Sequence, residues 1–484
     1  MALYNKAGEI LEKLDQQKGT IRSLCLADDV VDKKRTFALV CESLKYRDTL
    51  QHIIKQTGLM EAEKQRKLKT GVATVLVYDF LFGRGLQTGG TYKEIIMKHK
   101  TRLQAELAKF KIKRKVKDNK ELIPEHIRNA IILPRWVRIN TLVASVDQVI
   151  KKLLAMGFVL DAESHPSKLK GKVFQRDQHI PEMLLLPSNI DLHDNPLLLN
   201  GSIIIQDKAS CFPAYVLNAP RKSVCIDACA APGNKTSHLS AVMGNTGKIF
   251  AFDMDKRRLG ILSKMTKRAA CKNIEPVLGD FLSVDPADQR YKEVEYILLD
   301  PSCSGSGIVG RMDHLIDQDP TSEENETDAA ASEARVLALA DFQSKAILHA
   351  FTFPKVKKVV YSTCSKHREE NEDVVHKVLE AQSDFVLAEN AFPQWTRRGL
   401  PLFDGSSKVI RTEPKEDNCI GFFVALFERK ATTIDVTPDT PTTPLSGKRP
   451  LADIEEASAP ASKKSKNKKK KRKGPKKEVT EFAD

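Results

Sequence analysis

Two cysteines stand where apolar runs end. Residues 297–305 read I-L-L-D-P-S-C-S-G and residues 359–365 read V-V-Y-S-T-C-S. Each run has the length and composition of a strand, and each stops at a small polar loop holding a thiol, Cys303 or Cys364. Two thiols, each at the end of an apolar run, suit covalent chemistry on an electrophilic carbon. Cytosine is such a case. Its C5 is a poor nucleophile until a thiolate adds at C6 and makes C5 enamine-like. After C5 has been methylated, its proton must leave so that the thiolate can depart. That chemistry needs one nucleophile and one group that assists release. Asp300, just before Pro301-Ser302-Cys303, could hold the pyrimidine N3/N4 edge and stabilise charge during addition. A lone cysteine is more often a small buried hydrophobe, and Cys25, Cys41, Cys271 and Cys419 take that reading.

A third motif lies upstream. Residues 224–236 read V-C-I-D-A-C-A-A-P-G-N-K-T, a strand running through a Gly-containing turn into a helix. Small residues there let a ligand approach the backbone, and the helix N–H groups favour a polar or anionic group. The next strand ends in Asp253, the position at which a carboxylate meets ribose hydroxyls in nucleoside-binding α/β folds. Asp280 ends the strand after that. Three acidic strand ends (the Asp that opens D-A-C-A-A-P-G, Asp253 and Asp280) would repel phosphates but suit a nucleoside carrying a positive charge, such as the sulfonium S-adenosylmethionine. Cys225 and Cys229 are four apart, with no His or Cys pair following at zinc spacing, so no metal site is expected.

These loops need a doubly wound α/β sheet, whose ligands bind outside the carboxyl ends of the strands. Parallel strands are expected at 224–228, 248–253, 275–278, 295–300 and 358–363, with C-I-G-F-F-V-A-L-F-E-R closing the sheet as an edge strand. The chain of 484 residues exceeds one core. Residues 1–125 read as a helical N-terminal domain. It contains the apolar helix from Ala73 and a basic strip over 98–120, which is either a phosphate-contacting surface or an ordinary solvated helix face. Residues 126–200 read as a small α/β subdomain, in which the Arg135–Arg138 strand either contacts RNA or simply packs. Residues 201–430 form the catalytic domain, interrupted by a mobile acidic insertion at 317–334. Residues 431–484 are Thr/Pro/Ser-rich and then Lys-rich (463–477), and should be disordered; nuclear import, nucleolar retention or RNA binding all fit.

The formal charge is +15, and its clustering points to a polyanionic partner, usually nucleic acid. Nine cysteines without framework spacing fit a reducing compartment. No apolar run reaches the eighteen or so residues that a membrane span needs, and no secretory h-region is present.

Taken together, D-A-C-A-A-P-G-N-K-T, F-D-M-D, L-L-D-P-S-C-S-G-S-G and Y-S-T-C-S closely resemble the Sun-domain RNA 5-methylcytosine methyltransferases, over about 134 to 430. The N-terminal Y-D-F-L-F-G-R-G resembles the eukaryotic branch acting on large-subunit ribosomal RNA. The resemblance implies a class I S-adenosylmethionine-dependent methyltransferase with a Rossmann-like sheet and an RNA-recognition-like subdomain from Pro134. It implies that Cys229, Ala230, Ala231, Pro232, Gly233, Asn234 and Lys235 line the cofactor turn. Asp253 would hold the ribose with Arg258 nearby, Asp280 would meet the adenine, and Asp300 would face the active site. Cys364 would be the nucleophile and Cys303 would assist product release. The partner would be ribosomal RNA within a pre-ribosomal large subunit, in the nucleus and nucleolus. One departure stands out: many members have Pro directly before the releasing cysteine, and this chain has Ser302, with the proline shifted to Pro301. Two other readings remain at this stage. A DNA cytosine-C5 methyltransferase would use the cysteine at Cys303 as nucleophile and needs no partner at Cys364. An RNA-binding assembly factor that had lost catalysis would not need Cys364, Asp253 and Asp280 intact.

Overall fold

A computed structural model describes residues 1–430, apart from 87, 130, 310–314 and 316–325. The tail 431–484 and residues 317–325 of the expected insertion lie outside the described residues. Residues 326–334 of that stretch form the first turns of a long helix, Glu326–Phe351.

The N-terminal part is helical. In Ala2–Asp15 the buried residues Tyr4, Ala7, Ile10, Leu11 and Leu14 repeat at three and four, so one stripe faces inward. That stripe crosses the apolar helix Thr70–Leu81, which begins three residues before the expected Ala73. The crossing is backbone on backbone: a Cβ on Gly8 would lie 2.6 Å from Val72 N, and one on Gly71 would lie 2.3 Å from Gly8 O. Tyr4 donates to the buried Asp79 at 2.5 Å across the same interface. The basic strip is the helix Lys100–Arg114, which buries only Leu103 and Phe110.

The small α/β unit is a five-stranded sheet ordered β2-β3-β4-β1-β5. Its strands are β1 (Arg135–Ile139), β2 (Val159–Leu160), β3 (Val173–Arg176), β4 (Met183–Leu186) and β5 (Ile203–Ile205). Period-two alternation divides its side chains between two cores. Val137, Ile139, Leu184 and Leu186 meet Val149 and Leu153 of the helix Val146–Ala155. Trp136, Met183 and Leu185 face the opposite way and join the core of the catalytic sheet with Phe212 and Leu239. Arg138 shares that face. It is 1% exposed and donates to Gln206 and Ser237. Of the two readings for this strand, packing holds for Arg138, because the catalytic unit covers it.

The catalytic sheet runs β11-β13-β10-β9-β6-β7-β8. β6 (Val224–Asp227), β7 (Lys248–Asp253), β8 (Ile274–Leu278), β9 (Tyr296–Leu299) and β10 (Lys358–Thr363) are parallel. The chain moves outward from β6 to β8, then returns to β9 on the other side of β6. The order therefore reverses between β6 and β9, and all five carboxyl ends share one edge. The last strand corrects an expectation. β13 (Phe422–Arg429) is not at the edge; it lies antiparallel between β10 and β11 (Phe385–Leu387), and β12 (Ile410–Thr412) also pairs with it. Its first six residues, F-F-V-A-L-F, are buried on both faces, as an interior strand requires and an edge strand does not.

Candidate active site

The expected site residues gather where strands end at their carboxyl edge: most lie on or beside the connections, Asn234 and Lys235 begin one helix, and Arg258 lies in the first turn of another. β6 gives way to the turn Ala228–Gly233, with Gly233 at φ +106°, before the helix Asn234–Val242. β7 ends at Asp253, β8 leads to Asp280, β9 to Asp300 and Cys303, and β10 to Cys364. Because β9 and β10 are hydrogen-bonded neighbours, their loops must emerge side by side. The sulfurs of Cys303 and Cys364 are 3.1 Å apart.

A cavity of about 470 Å³ opens beside them, within the usual range for small-ligand sites. Cys229, Ala231, Asp253, Arg258, Asp280, Asp300, Cys303 and Cys364 all line it. Ala230, Pro232, Gly233, Asn234 and Lys235 do not. Ala230 packs against Ala251 and Leu262, and of the turn only Ala228, Cys229 and Ala231 reach the cavity. Two larger cavities, of about 730 and 880 Å³, flank the junction of the two sheets and contain neither cysteine loop. Chemistry, not size, singles out this one.

The carboxylates are anchored. Asp253 is 6% exposed. It accepts from the backbone of Asp255 at 2.9 Å and Ala231 at 3.3 Å, with Arg258 Nη2 at 3.5 Å. Arg258 also donates to Ala231 O at 2.8 Å, tying strand end to turn. Asp280 accepts from Leu282 N–H at 3.0 Å. Asp300 takes Ser362 Oγ at 2.7 Å on one oxygen and Lys235 Nζ at 2.7 Å on the other. Lys235 thus aims its ammonium at Asp300 and over the Phe422 ring, and does not line the cavity. Burial alone would lower the Lys235 pKa, but the charge and hydrogen bond of Asp300 more than offset it, so the group is held above its ordinary value.

The electrostatics differ along the motif. Burial pushes Asp227 up to about 7, only partly countered by its hydrogen bond from Thr236. Burial also pushes up the Cys229 thiol. Cys303 is pushed up first by its hydrogen bond with Cys364, then by burial and by the charge on Cys364.

Several residues that complete the site carry no local sequence signal. Arg335, Phe342 and Ala346 reach the cavity from the long helix Glu326–Phe351. Beneath the cysteine loops lies a buried polar network. Glu370 accepts from Ser304 N–H at 2.9 Å and from Gln343 Nε2 at 3.0 Å. Gln343 also donates to Ser302 O at 3.0 Å. Asn371 accepts from Thr363 Oγ1 and donates to Ser365 O. Cys25, Cys41 and Cys419 are buried, as their packing reading expects; Cys271 is only partly so.

Known proteins share this sequence and fold. Residues 34–123 match the N-terminal domain of NOL1/NOP2/Sun domain family member 5, and residues 133–206 match its ferredoxin-like domain. Residues 214–428 match the 16S rRNA methyltransferase RsmB/F family. The 28S rRNA (cytosine-C(5))-methyltransferase of Mus musculus is 41% identical over 91% of this chain and 94% of its own. The 25S rRNA (cytosine-C(5))-methyltransferase rcm1 of Schizosaccharomyces pombe is 42% identical over 88% of this chain and 91% of its own. The crystal structure of PH0851 aligns with a TM-score of 0.56, at 22% identity, over 84% of this chain and 93% of that one, which speaks for the fold. This chain therefore belongs to the NOL1/NOP2/Sun domain family of methyltransferases, in the group of family member 5.

Proposed function

We propose that this protein methylates C5 of a cytosine in large-subunit ribosomal RNA, with Cys364 as nucleophile and Cys303 assisting release. The observation that carries this reading is the thiol pair, 3.1 Å apart on adjacent strand ends beside an acidic cavity. The relatives' substrates support ribosomal RNA as the target. The Lys-rich run 463–477 supports a nuclear and nucleolar enzyme that meets its RNA in a pre-ribosomal particle.

S-adenosylmethionine fits the cavity. Asp253 would hold the ribose, Asp280 the adenine side, and the ring of carboxylates suits a sulfonium. When bound, it supplies an electrophilic methyl group. The remaining chemistry belongs to the chain. The hydrogen bond with Cys364, burial and the charge on Cys364 hold the Cys303 thiol up, which favours Cys303 as the donor of the pair. In this reading Cys364 gives its proton to solvent and adds to C6 as the thiolate. Asp300, fixed by Lys235 and Ser362, would hold the N3/N4 edge by accepting from the N4 amino group, and the Lys235 ammonium paired with it would offset the negative charge that addition places on the ring. Once Cys364 is a thioether, its hydrogen bond and its charge no longer act on Cys303. The Cys303 pKa falls, and the thiol can lose its proton and become the base. Cys303 then takes the C5 proton, the C5–H electrons form the C5–C6 double bond, and the C6–S pair returns to Cys364.

Bisulfite sequencing of large-subunit RNA, from cells with and without this protein, tests the reading. One cytosine should lose its protection when the protein is absent and regain it with the wild type, but not with Cys364→Ala. Protection unchanged by removing the protein would refute it.

A further inference from the structure

The two thiols come from loops sixty-one residues apart in sequence, yet consecutive residues of a third segment hold both. Glu370 and Asn371 are each 0% exposed. Glu370 Oε1 accepts from the N–H of Ser304, the residue after Cys303, at 2.9 Å. Gln343 bridges Glu370 to the carbonyl of Ser302, the residue before Cys303, at 3.0 Å on both sides. Its own oxygen is fixed by Tyr361 Oη at 2.9 Å. Both peptide units that flank Cys303 are therefore tied to Glu370. Asn371 holds Cys364 less directly, through the two residues beside it and not through the peptide units that flank it. Its oxygen accepts from Thr363 Oγ1 at 2.5 Å and its nitrogen donates to Ser365 O at 2.9 Å, on either side of that cysteine.

Glu370 makes no ion pair among the described residues. A buried carboxylate without a cation is costly unless hydrogen bonds satisfy it. Here the donors are the Cys303 loop and the glutamine that grips it, so the carboxylate is satisfied only while the loop stays in place. Gln343 grips a backbone carbonyl, so it restrains the Cys303 loop whatever side chain stands at 302.

We propose that the Glu370–Asn371 dipeptide, with Gln343, is the element that sets the spacing of the two thiols: Glu370 positions Cys303 for release, and Asn371 positions Cys364 for attack. Both are positioning residues, and the inference rests on the roles proposed for the two cysteines. The halves of the clamp should then fail in opposite ways. Without Glu370, Cys364 still adds to C6 and the ring is methylated at C5. The C5 proton is then not collected, and the C6–S bond persists. Without Asn371, addition itself fails.

The experiment combines a denaturing gel for protein–RNA adduct with steady-state turnover, on full-length variants whose S-adenosylmethionine affinity matches wild type. Glu370→Ala should accumulate adduct while turnover falls about a hundredfold, the scale of an ångström-sized misplacement. Glu370→Gln should restore turnover to within a few-fold, because one amide oxygen can accept both the Ser304 and the Gln343 bonds. Asn371→Ala should lose adduct and turnover together. If Glu370→Ala does not fold, Gln343→Leu takes its place, with the same adduct expected. Parallel loss of adduct and turnover in both halves would overturn the proposal, since general support of the fold predicts that result. So would wild-type turnover in Glu370→Ala, or a Glu370→Gln that stalls as fully as the alanine. Cys303→Ala runs alongside. If it forms no adduct, the cysteine assignment has failed, whereas an adduct there with none of the predicted split between Glu370 and Asn371 counts against the clamp alone.

Discussion

Replacing Asp253 by alanine should weaken cofactor binding by a predictable amount. In the proposed complex this carboxylate accepts hydrogen bonds from ribose hydroxyls. A hydrogen bond to a charged group contributes about 1.5–3 kcal/mol, which converts to roughly 10- to 150-fold in affinity. The structure argues for the upper half of that range. Asp253 is 6% exposed, so water cannot replace it at low cost. It also anchors the cavity wall, accepting from Ala231 N–H at 3.3 Å and Asp255 N–H at 2.9 Å and neighbouring Arg258. The variant would leave those donors unsatisfied and let the Ala228–Gly233 turn relax away from the ligand. Calorimetric titration with S-adenosylhomocysteine avoids turnover and reads affinity directly. A companion titration with RNA should be unchanged, because the role proposed for Asp253 is to hold the cofactor's ribose. Wild-type affinity for S-adenosylhomocysteine in Asp253→Ala would refute the ribose assignment. Equal weakening of both ligands would mean that the fold had been damaged instead.

Three further outcomes are expected. Burial raises the Asp227 carboxyl from an ordinary value near 3.8 to about 7, so the folded state holds a proton that the unfolded chain gives up. The stabilising contribution of this group is complete below about pH 3.8 and is lost as pH rises through 7. The Tm of Asp227→Asn relative to wild type should therefore rise between pH 5 and pH 8, and a flat difference would contradict the shift. Gly307→Ala would put a Cβ 2.1 Å from Gly421 O, in a segment whose N–H holds Cys364 O at 2.9 Å. Turnover should fall about a hundredfold with cofactor affinity intact, and normal turnover would show that the cysteine loops tolerate displacement. Deleting 446–484 should weaken RNA binding at low salt and much less at high salt, while leaving methylation of a short RNA; loss of that methylation at low salt would give the tail a catalytic part.

The motifs were legible because each lies where strand chemistry gives way to loop chemistry. D-A-C-A-A-P-G-N-K-T, D-P-S-C-S-G and Y-S-T-C-S interrupt apolar runs, and parallel pairing brings their ends to one edge. The five parallel strands followed from the same signals, but their order in the sheet did not, and β13 was expected at the edge. Its run F-F-V-A-L-F was apolar on both faces, which marks an interior strand. The three-residue strands β11 and β12 beside it were too short to show a period. Lys235 was legible as part of the turn, but its partner was not, because Asp300 lies sixty-five residues further on and only the β6–β9 pairing brings them together. Glu370, Asn371 and Gln343 were missed for the same reason. In the sequence they are polar residues in a charged run and on a helix, and only tertiary packing buries them beneath the cysteine loops.

The division of labour between the thiols is the central claim, and one gel tests it most directly. Radiolabelled substrate RNA is incubated with S-adenosylmethionine and each protein, then run under denaturing conditions. Cys303→Ala should give a retarded protein–RNA band that is absent from Cys364→Ala and from the double variant. A band in Cys364→Ala but not in Cys303→Ala would reverse the roles, and no band in any variant, with turnover intact, would contradict covalent catalysis by this pair.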